Sequence, residues 1–531
     1  MALARTHAIA LVGVQGHAVE IEADIENGMV ALLLVGLPDT ALREARDRIR
    51  AAIVNSGETW PNRRITVGLS PASLPKRGSG FDLGIAVAIL AAAQAVPAGR
   101  LSGLVLIGEL GLDGRVRPVP GVLPAAAAAA AAGFGAVAVA AENAAEAALV
   151  PELRVIAAPS LAAMAAWLRE TTLPGGGAVR VFESGSSGSA ADGAVGPGVH
   201  PGQPPGPGTD GVPKDLADLV GQPLARRAAE ICAAGGHHLM LLGPPGAGKT
   251  MLAERIPTVL PRLEPAAALE VSAIHSVAGA LPSGSPLITE PPFCAPHHTA
   301  TRAAIVGGGS GIIRPGAASL AHHGCLFLDE APEFGRDVLD GLRQPLESGE
   351  VVVARAGVTA RFPARFTLIM AANPCPCASA ATTGSACSCT PLARRRYLAR
   401  LSGPLLDRVD AKIEFFPVRR TELLSDRSFT EPSAVVAERV RQARQRSAAR
   451  LAGSPWRLNA QIPGSELRRR FAPAPGALAP LERAMDLGRI SARGVDRVIR
   501  LSWTVADLAA VGRPGAAEVS YALGLWLGTP M

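Results

Sequence analysis

Gly243, Pro244, Pro245, Gly246, Ala247, Gly248, Lys249 and Thr250 fit the spacing G-x-x-x-x-G-K-T, and the apolar run His238–Leu242 leads into them. Glycines let backbone amides turn inward around phosphate oxygens at a helix N-terminus. A lysine then brings a mobile positive charge to the β- and γ-phosphates, and a threonine hydroxyl can bind magnesium. A chance glycine-rich turn has no reason to lie between a buried strand and a helix. The segment therefore predicts a site for ATP and Mg²⁺.

Cys325–Glu330 reads as an apolar strand ending in two adjacent carboxylates. With a phosphate loop, that pair supplies a magnesium ligand, Asp329, and a water-polarising base, Glu330. Phe366–Asn373 is a further buried strand, and its terminal amide, Asn373, can orient the attacking water or simply cap the strand. Arg408 can neutralise transition-state charge on a neighbouring subunit, or pair with Asp407 or Asp410.

Cys375, Cys377, Cys387 and Cys389 form two C-x-C pairs separated by nine residues. Four converging thiolates would hold a structural Zn²⁺; four reduced thiols are the alternative, and a redox role a third. Cys232, Cys294 and Cys325 read as core residues. The pairs His297–His298 and His322–His323 carry no assignment.

The elements that position these groups follow from composition and periodicity. At 531 residues the chain is too long for one core. With 48% hydrophobic and 18% charged residues it is not a disordered chain. Residues 1–171 read as an α/β unit with strands at Ile65–Ser70, Val105–Leu110 and Ala136–Ala140 and a helix at Phe81–Ala93. Residues 172–212, rich in Gly, Pro and Ser, read as a flexible linker. Residues 213–418 form the nucleotide-binding α/β core, and 419–531 a helical lid with helices at Ala434–Leu451, Ala477–Leu487 and Ala492–Gly512. Val119–Ala141 is uncharged and mostly alanine, but its prolines and glycines make it a helix followed by a strand, not a membrane span. With no signal peptide evident, a cytoplasmic protein is expected. The net charge of +7 suits a polyanionic partner without requiring one.

The segments GPPGAGKTMLA, APHHTATRAAIVGGG, RPGAASLAHHGCLFLDEAPEF, LRQPLESGEVVVARA, AANPCPC and RRYLARLSGPLLDRVD together resemble the ComM/YifB family of magnesium-chelatase-like AAA+ ATPases over nearly the whole chain. The resemblance implies Walker A at Gly243–Thr250, Walker B at Asp329 and Glu330, sensor 1 at Asn373 and an arginine finger at Arg408. It implies sensor 2 at Arg493, with Arg497 one helical turn away as the competing residue. A homo-oligomeric ring, a hexamer with ATP between subunits, follows from the same resemblance, as does DNA helicase activity driving branch migration in natural transformation. Gly307–Pro315 and a hairpin across Val351–Phe362, with Arg355 and Arg361 along it, would face the pore and bind DNA, or form solvated hairpins without a ligand.

The N-terminal unit resembles the fold shared by the Lon protease domain and ribosomal protein S5, through LPKRGSGFDLGIAVAIL and IGELGLDGRVRPVPGV. Asp82 stands at the position of the nucleophilic serine, and GVLPA offers no lysine base, so the resemblance implies a structural or substrate-handling domain and no peptidase. A magnesium-chelatase-type ATPase subunit and a regulatory ATPase acting on a protein partner are the competing functions.

Overall fold

A computed structural model describes residues 2–36, 39–76, 78–171, 178–183, 214–282, 285–309, 313–355, 358–377, 387, 389–418 and 430–529. Its N-terminal third is an eight-stranded mixed sheet. The strand order is Arg180–Phe182, Arg154–Ala158, Ala136–Ala140, Leu104–Leu106, Ala2–Val12, Gln15–Glu26, Arg64–Ser70, Ala31–Val35. The long hairpin Ala2–Val12/Gln15–Glu26 turns through two residues, and Gly13 supplies the positive φ of +67° that such a turn requires. Asp82–Ala92 is buried along its whole length, so it is apolar on every side instead of amphipathic.

Two expectations change here. The strand expected across Val105–Leu110 breaks in two, because Gly108 turns its N–H to the Gly80 carbonyl and any Cβ there would lie 2.7 Å from Val116. Glu109–Leu110 pairs instead with Val116–Arg117. The segment expected to be linker from residue 172 contains Arg180–Phe182, an antiparallel edge strand on Arg154–Ala158. Phe182 packs on the adjacent apolar cluster, and that burial is what an alanine-, glycine- and proline-weighted composition conceals. Residues 172–177 and 184–212 of that expectation lie outside the described residues. Val122–Ala131 and Ala136–Ala140 are the expected helix and strand, and no described helix is long and apolar enough to cross a membrane.

The central third holds a five-stranded parallel sheet in the order Phe293–Cys294, Cys325–Leu328, Thr367–Ala372, Leu239–Leu242, Ala411–Glu414. Because all five run the same way, Gly243, Asp329 and Asn373 emerge on one edge. Beyond it come the helices Ser433–Arg450, Gly464–Arg469, Ala479–Asp486, Ala492–Leu508 and Ala516–Leu527. These share one apolar cluster with the sheet and with helix Pro223–Gly235. Leu11, Val12 and Val14 of the N-terminal turn pack on Val277, Ala360 and Phe362 of the central third.

Candidate active site

The loop after Leu239–Leu242 is shaped by close packing. A side chain at Gly243 would meet Phe415 at 2.6 Å, and Gly246 and Gly248 adopt φ of +75° and +95°. Helix Lys249–Arg255 begins directly afterwards. The Lys249 Nζ donates to the carbonyls of Gly243 at 2.5 Å and Pro244 at 2.8 Å, and to Asn373 Oδ1 at 3.1 Å. Burial lowers its pKa, while Asp329 and Glu330 oppose that shift. Phosphate oxygens offer such a lysine stronger, charge-assisted bonds than loop carbonyls do.

Thr250 Oγ1 donates to Asp329 Oδ2 at 2.7 Å. Adjacent oxygens around an octahedral magnesium, at about 2.0–2.1 Å from the ion, lie roughly 2.9 Å apart, so this pair fits as neighbouring ligands. Glu330 has φ +51° and ψ +43°, a left-handed conformation that costs a non-glycine residue about 1–3 kcal/mol. Its N–H bonds Asp329 Oδ1 at 2.9 Å, and its Oε2 lies 3.3 Å from His298 Nδ1. His298, which sequence reasoning left unassigned, therefore touches the carboxylate expected to polarise water. The signal was present in APHHTAT, a polar turn just after the strand Phe293–Cys294, but nothing in the spacing said which carboxylate it would meet.

Asn373 is buried at the end of its strand, and its backbone hydrogen-bonds Tyr397, whose hydroxyl is pushed up to about 12 by burial and by Glu333. Arg400 holds Glu333 at 2.7 Å and the Pro332 carbonyl at 3.2 Å, bracing the short turn after Glu330. Lys249, Thr250, Asp329, Glu330 and Asn373 thus converge. Arg408 does not join them: it precedes the strand Ala411–Glu414, at the opposite edge of the parallel sheet. It pairs with neither Asp407 nor Asp410 but with Glu347 at 2.8 Å. Arg497 is bound to buried Asp410 at 2.5 Å, whereas Arg493 is exposed in the first turn of the same helix.

The sulfurs of Cys375, Cys377 and Cys387 lie 3.2–3.4 Å apart, and all four ligand atoms including Cys389 fall within 4.8 Å of one another. Four thiolates at about 2.3 Å from a tetrahedral zinc stand roughly 3.8 Å apart, so the set fits that ion with slight expansion. Cys232 and Cys325 are buried, and burial pushes Cys294 and Cys325 to about 12.

Gly307–Gly308 pairs with Arg314–Pro315, and Glu350–Arg355 with Val358–Pro363, giving two hairpins. Residues 310–312 of the first and 356–357 of the second lie outside the described residues. Val351 and Val353 face the core, leaving Arg355 exposed, while Arg361 bonds Glu350 at 2.9 Å.

In the N-terminal third, buried Asp82 accepts from Arg48 at 2.5 Å and from the Leu110 N–H at 3.2 Å. Buried Lys76 donates to the carbonyls of Pro71 and Leu74. Among the described residues, no hydrogen bond joins either side chain to a hydroxyl or thiol.

Residues 215–423 match the family "Magnesium chelatase, subunit ChlI", residues 21–143 "Subunit ChlI of Mg-chelatase" and residues 430–525 "Magnesium chelatase, subunit ChlI C-terminal". An uncharacterized protein of Mycobacterium tuberculosis is 49% identical over 523 residues, 98% of each chain. YifB of Escherichia coli is 40% identical over 513 residues, 96% of this chain and 94% of that protein. Competence protein ComM of Haemophilus influenzae is 39% identical over 510 residues, with the same two shares.

Proposed function

Because this chain belongs to the ComM/YifB family of magnesium-chelatase-like AAA+ ATPases, we propose that it is a ring-forming motor that spends ATP hydrolysis on moving or branch-migrating DNA. In this reading Lys249 and the loop amides bind the phosphates, and Thr250 and Asp329 hold Mg²⁺, which neutralises phosphate charge. Glu330 orients the water, Asn373 fixes Lys249 and the γ-phosphate side, and Arg408 reaches the neighbouring subunit's nucleotide. Arg493, unpaired with Asp410, takes the sensor 2 role.

The observation that carries the DNA reading is the meeting of the two basic hairpins. A side chain at Gly308, the residue paired with Arg314, would come within 3.9 Å of the Arg355 guanidinium, so exposed Arg355 lies against the hairpin that carries exposed Arg314. Clustered arginines on paired hairpins suit a phosphate backbone. ATP hydrolysis measured with and without single-stranded and branched DNA tests it. Stimulation that falls with salt and is lost in Arg314→Ala/Arg355→Ala supports the motor; hydrolysis indifferent to every DNA replaces it with an ATPase acting on a protein partner.

That second reading has its own support in the N-terminal third, whose turn Leu11–Val14 packs beside Ile313 and Phe362 of both hairpins. The four cysteines are proposed to hold a structural zinc, which metal analysis of purified protein and of Cys377→Ser will check. A hexamer is proposed, to be weighed by native mass spectrometry with ATP.

A further inference from the structure

Asp410 is 1% exposed and lies just before the strand Ala411–Glu414. One of its oxygens accepts from Arg497 at 2.5 Å and the other from the His238 N–H at 2.9 Å. Burial would raise its pKa, but Arg497 and the neighbouring histidines win and hold it below the ordinary carboxylate range. The same Arg497 nitrogen donates a second hydrogen bond, at 2.9 Å, to the main-chain carbonyl of Arg408. An ion pair alone would need only Asp410; the second bond ties lid helix Ala492–Leu508 to Arg408 itself.

The tie runs deep into the lid. His237 Nε2 and Thr504 Oγ1 are 2.7 Å apart, Asn459 donates to Thr504 and Asp507, and Arg450 clamps Asp507 at 2.5 and 2.6 Å. By contrast, the Arg408 guanidinium rests on the Pro404 carbonyl and on Glu347, which is 75% exposed. With Arg408 17% exposed and its partner in solvent, that pair costs less to leave than the buried Arg497–Asp410 pair costs to break. Arg408 therefore has a fixed backbone and a releasable side chain.

We propose that Arg497 is a positioning residue for Arg408: it locks the finger's main chain to its own subunit's lid, so lid movement sets where Arg408 meets the neighbour's nucleotide. The proposal rests on reading Arg408 as acting in trans. Arg497 touches neither nucleotide nor water in this scheme, and the lid of one subunit reports its state to the next site through it.

A kinetic double-mutant cycle on the full-length protein tests this, with kcat and KM for ATP measured for Arg408→Ala, Arg497→Gln and the pair. Arg408→Ala should lower kcat by about 10³-fold. Arg497→Gln should lower it by roughly 10–100-fold with KM within about twofold, as a misplaced group does. The pair should be no slower than Arg408→Ala alone, because both remove one function. Losses that multiply in the pair overturn the positioning role. Full activity in Arg408→Ala overturns the trans reading beneath it, and is distinguishable because Arg497 then has no finger to place. Since Arg497→Gln strands the Asp410 charge, Arg497→Gln/Asp410→Asn is measured too, with thermal melting to confirm folding. It should keep the kcat loss; recovery of kcat would mean that only the stranded charge mattered, and would refute the proposal.

Discussion

The nucleotide site and the N-terminal third each hold a buried lysine and at least one carboxylate, yet they differ in what those charges have left to do. Lys76 and Asp82 are spent on internal partners: two carbonyls for one, Arg48 and a backbone N–H for the other. Around Lys249 the partners are exchangeable. Loop carbonyls, an amide and two solvent-reaching carboxylates are the partners that phosphate, magnesium and water replace in the proposed function. Buried charge in a satisfied network marks structure; partly satisfied charge on the edge of a parallel sheet marks chemistry.

The sharpest break of this comparison is Glu330→Gln. It should lower kcat at least about 10³-fold while leaving ATP binding within a few fold, as read by turnover and nucleotide titration. Asp82→Asn should do the reverse. Turnover per folded molecule should stay within about twofold, while stability changes by no more than about 1–2 kcal/mol, because relieving the buried carboxylate charge offsets part of the cost of leaving Arg48 unpaired. Chemical denaturation checks it, and an ATPase-dead Asp82→Asn protein of normal stability would erase the distinction.

His298→Ala should cost less than the Glu330 change, roughly tenfold in kcat with KM unchanged, because it frees a carboxylate without removing it. An unchanged kcat would leave the His298–Glu330 contact a bystander.

Acid should separate the two regions more gently. Burial lowers His238 to about 4, and Asp410 and Arg497 add opposing smaller effects. A folded value below the ordinary 6.5 means that its contribution is complete above about pH 6.5 and is lost as pH falls toward 4, about 3 kcal/mol in all. Asp82 moves the other way: burial outweighs Arg48 and raises it, so its contribution is present at low pH and lost as pH rises through the folded value. Thermal melts between pH 7 and 4 should show the ATPase region weakening before the N-terminal region, and His238→Gln should flatten that slope.

Local chemistry was legible where it is written in consecutive residues. Gly243–Thr250, Asp329–Glu330 and Asn373 came from motif and strand pattern, and they converge because one parallel sheet delivers three strand ends to one edge. Helix Asp82–Ala92 and strand Ala136–Ala140 were equally plain, since apolar runs of those lengths have few other fates. Arg180–Phe182 was not, because three residues paired on an edge leave no periodicity to read.

The sequence by itself determined the family, the phosphate-loop and carboxylate motifs and the main strands and helices, because such motifs and apolar periodicity act within a few residues. Tertiary structure alone decided that His298 meets Glu330, that Arg408 rests on Glu347 instead of Asp407 or Asp410, and that Arg497 binds Asp410. Those pairings join residues 32, 61 and 87 positions apart. Charge pairs of similar strength are available in many combinations along a chain, and only the packing of buried strands and helices selects among them.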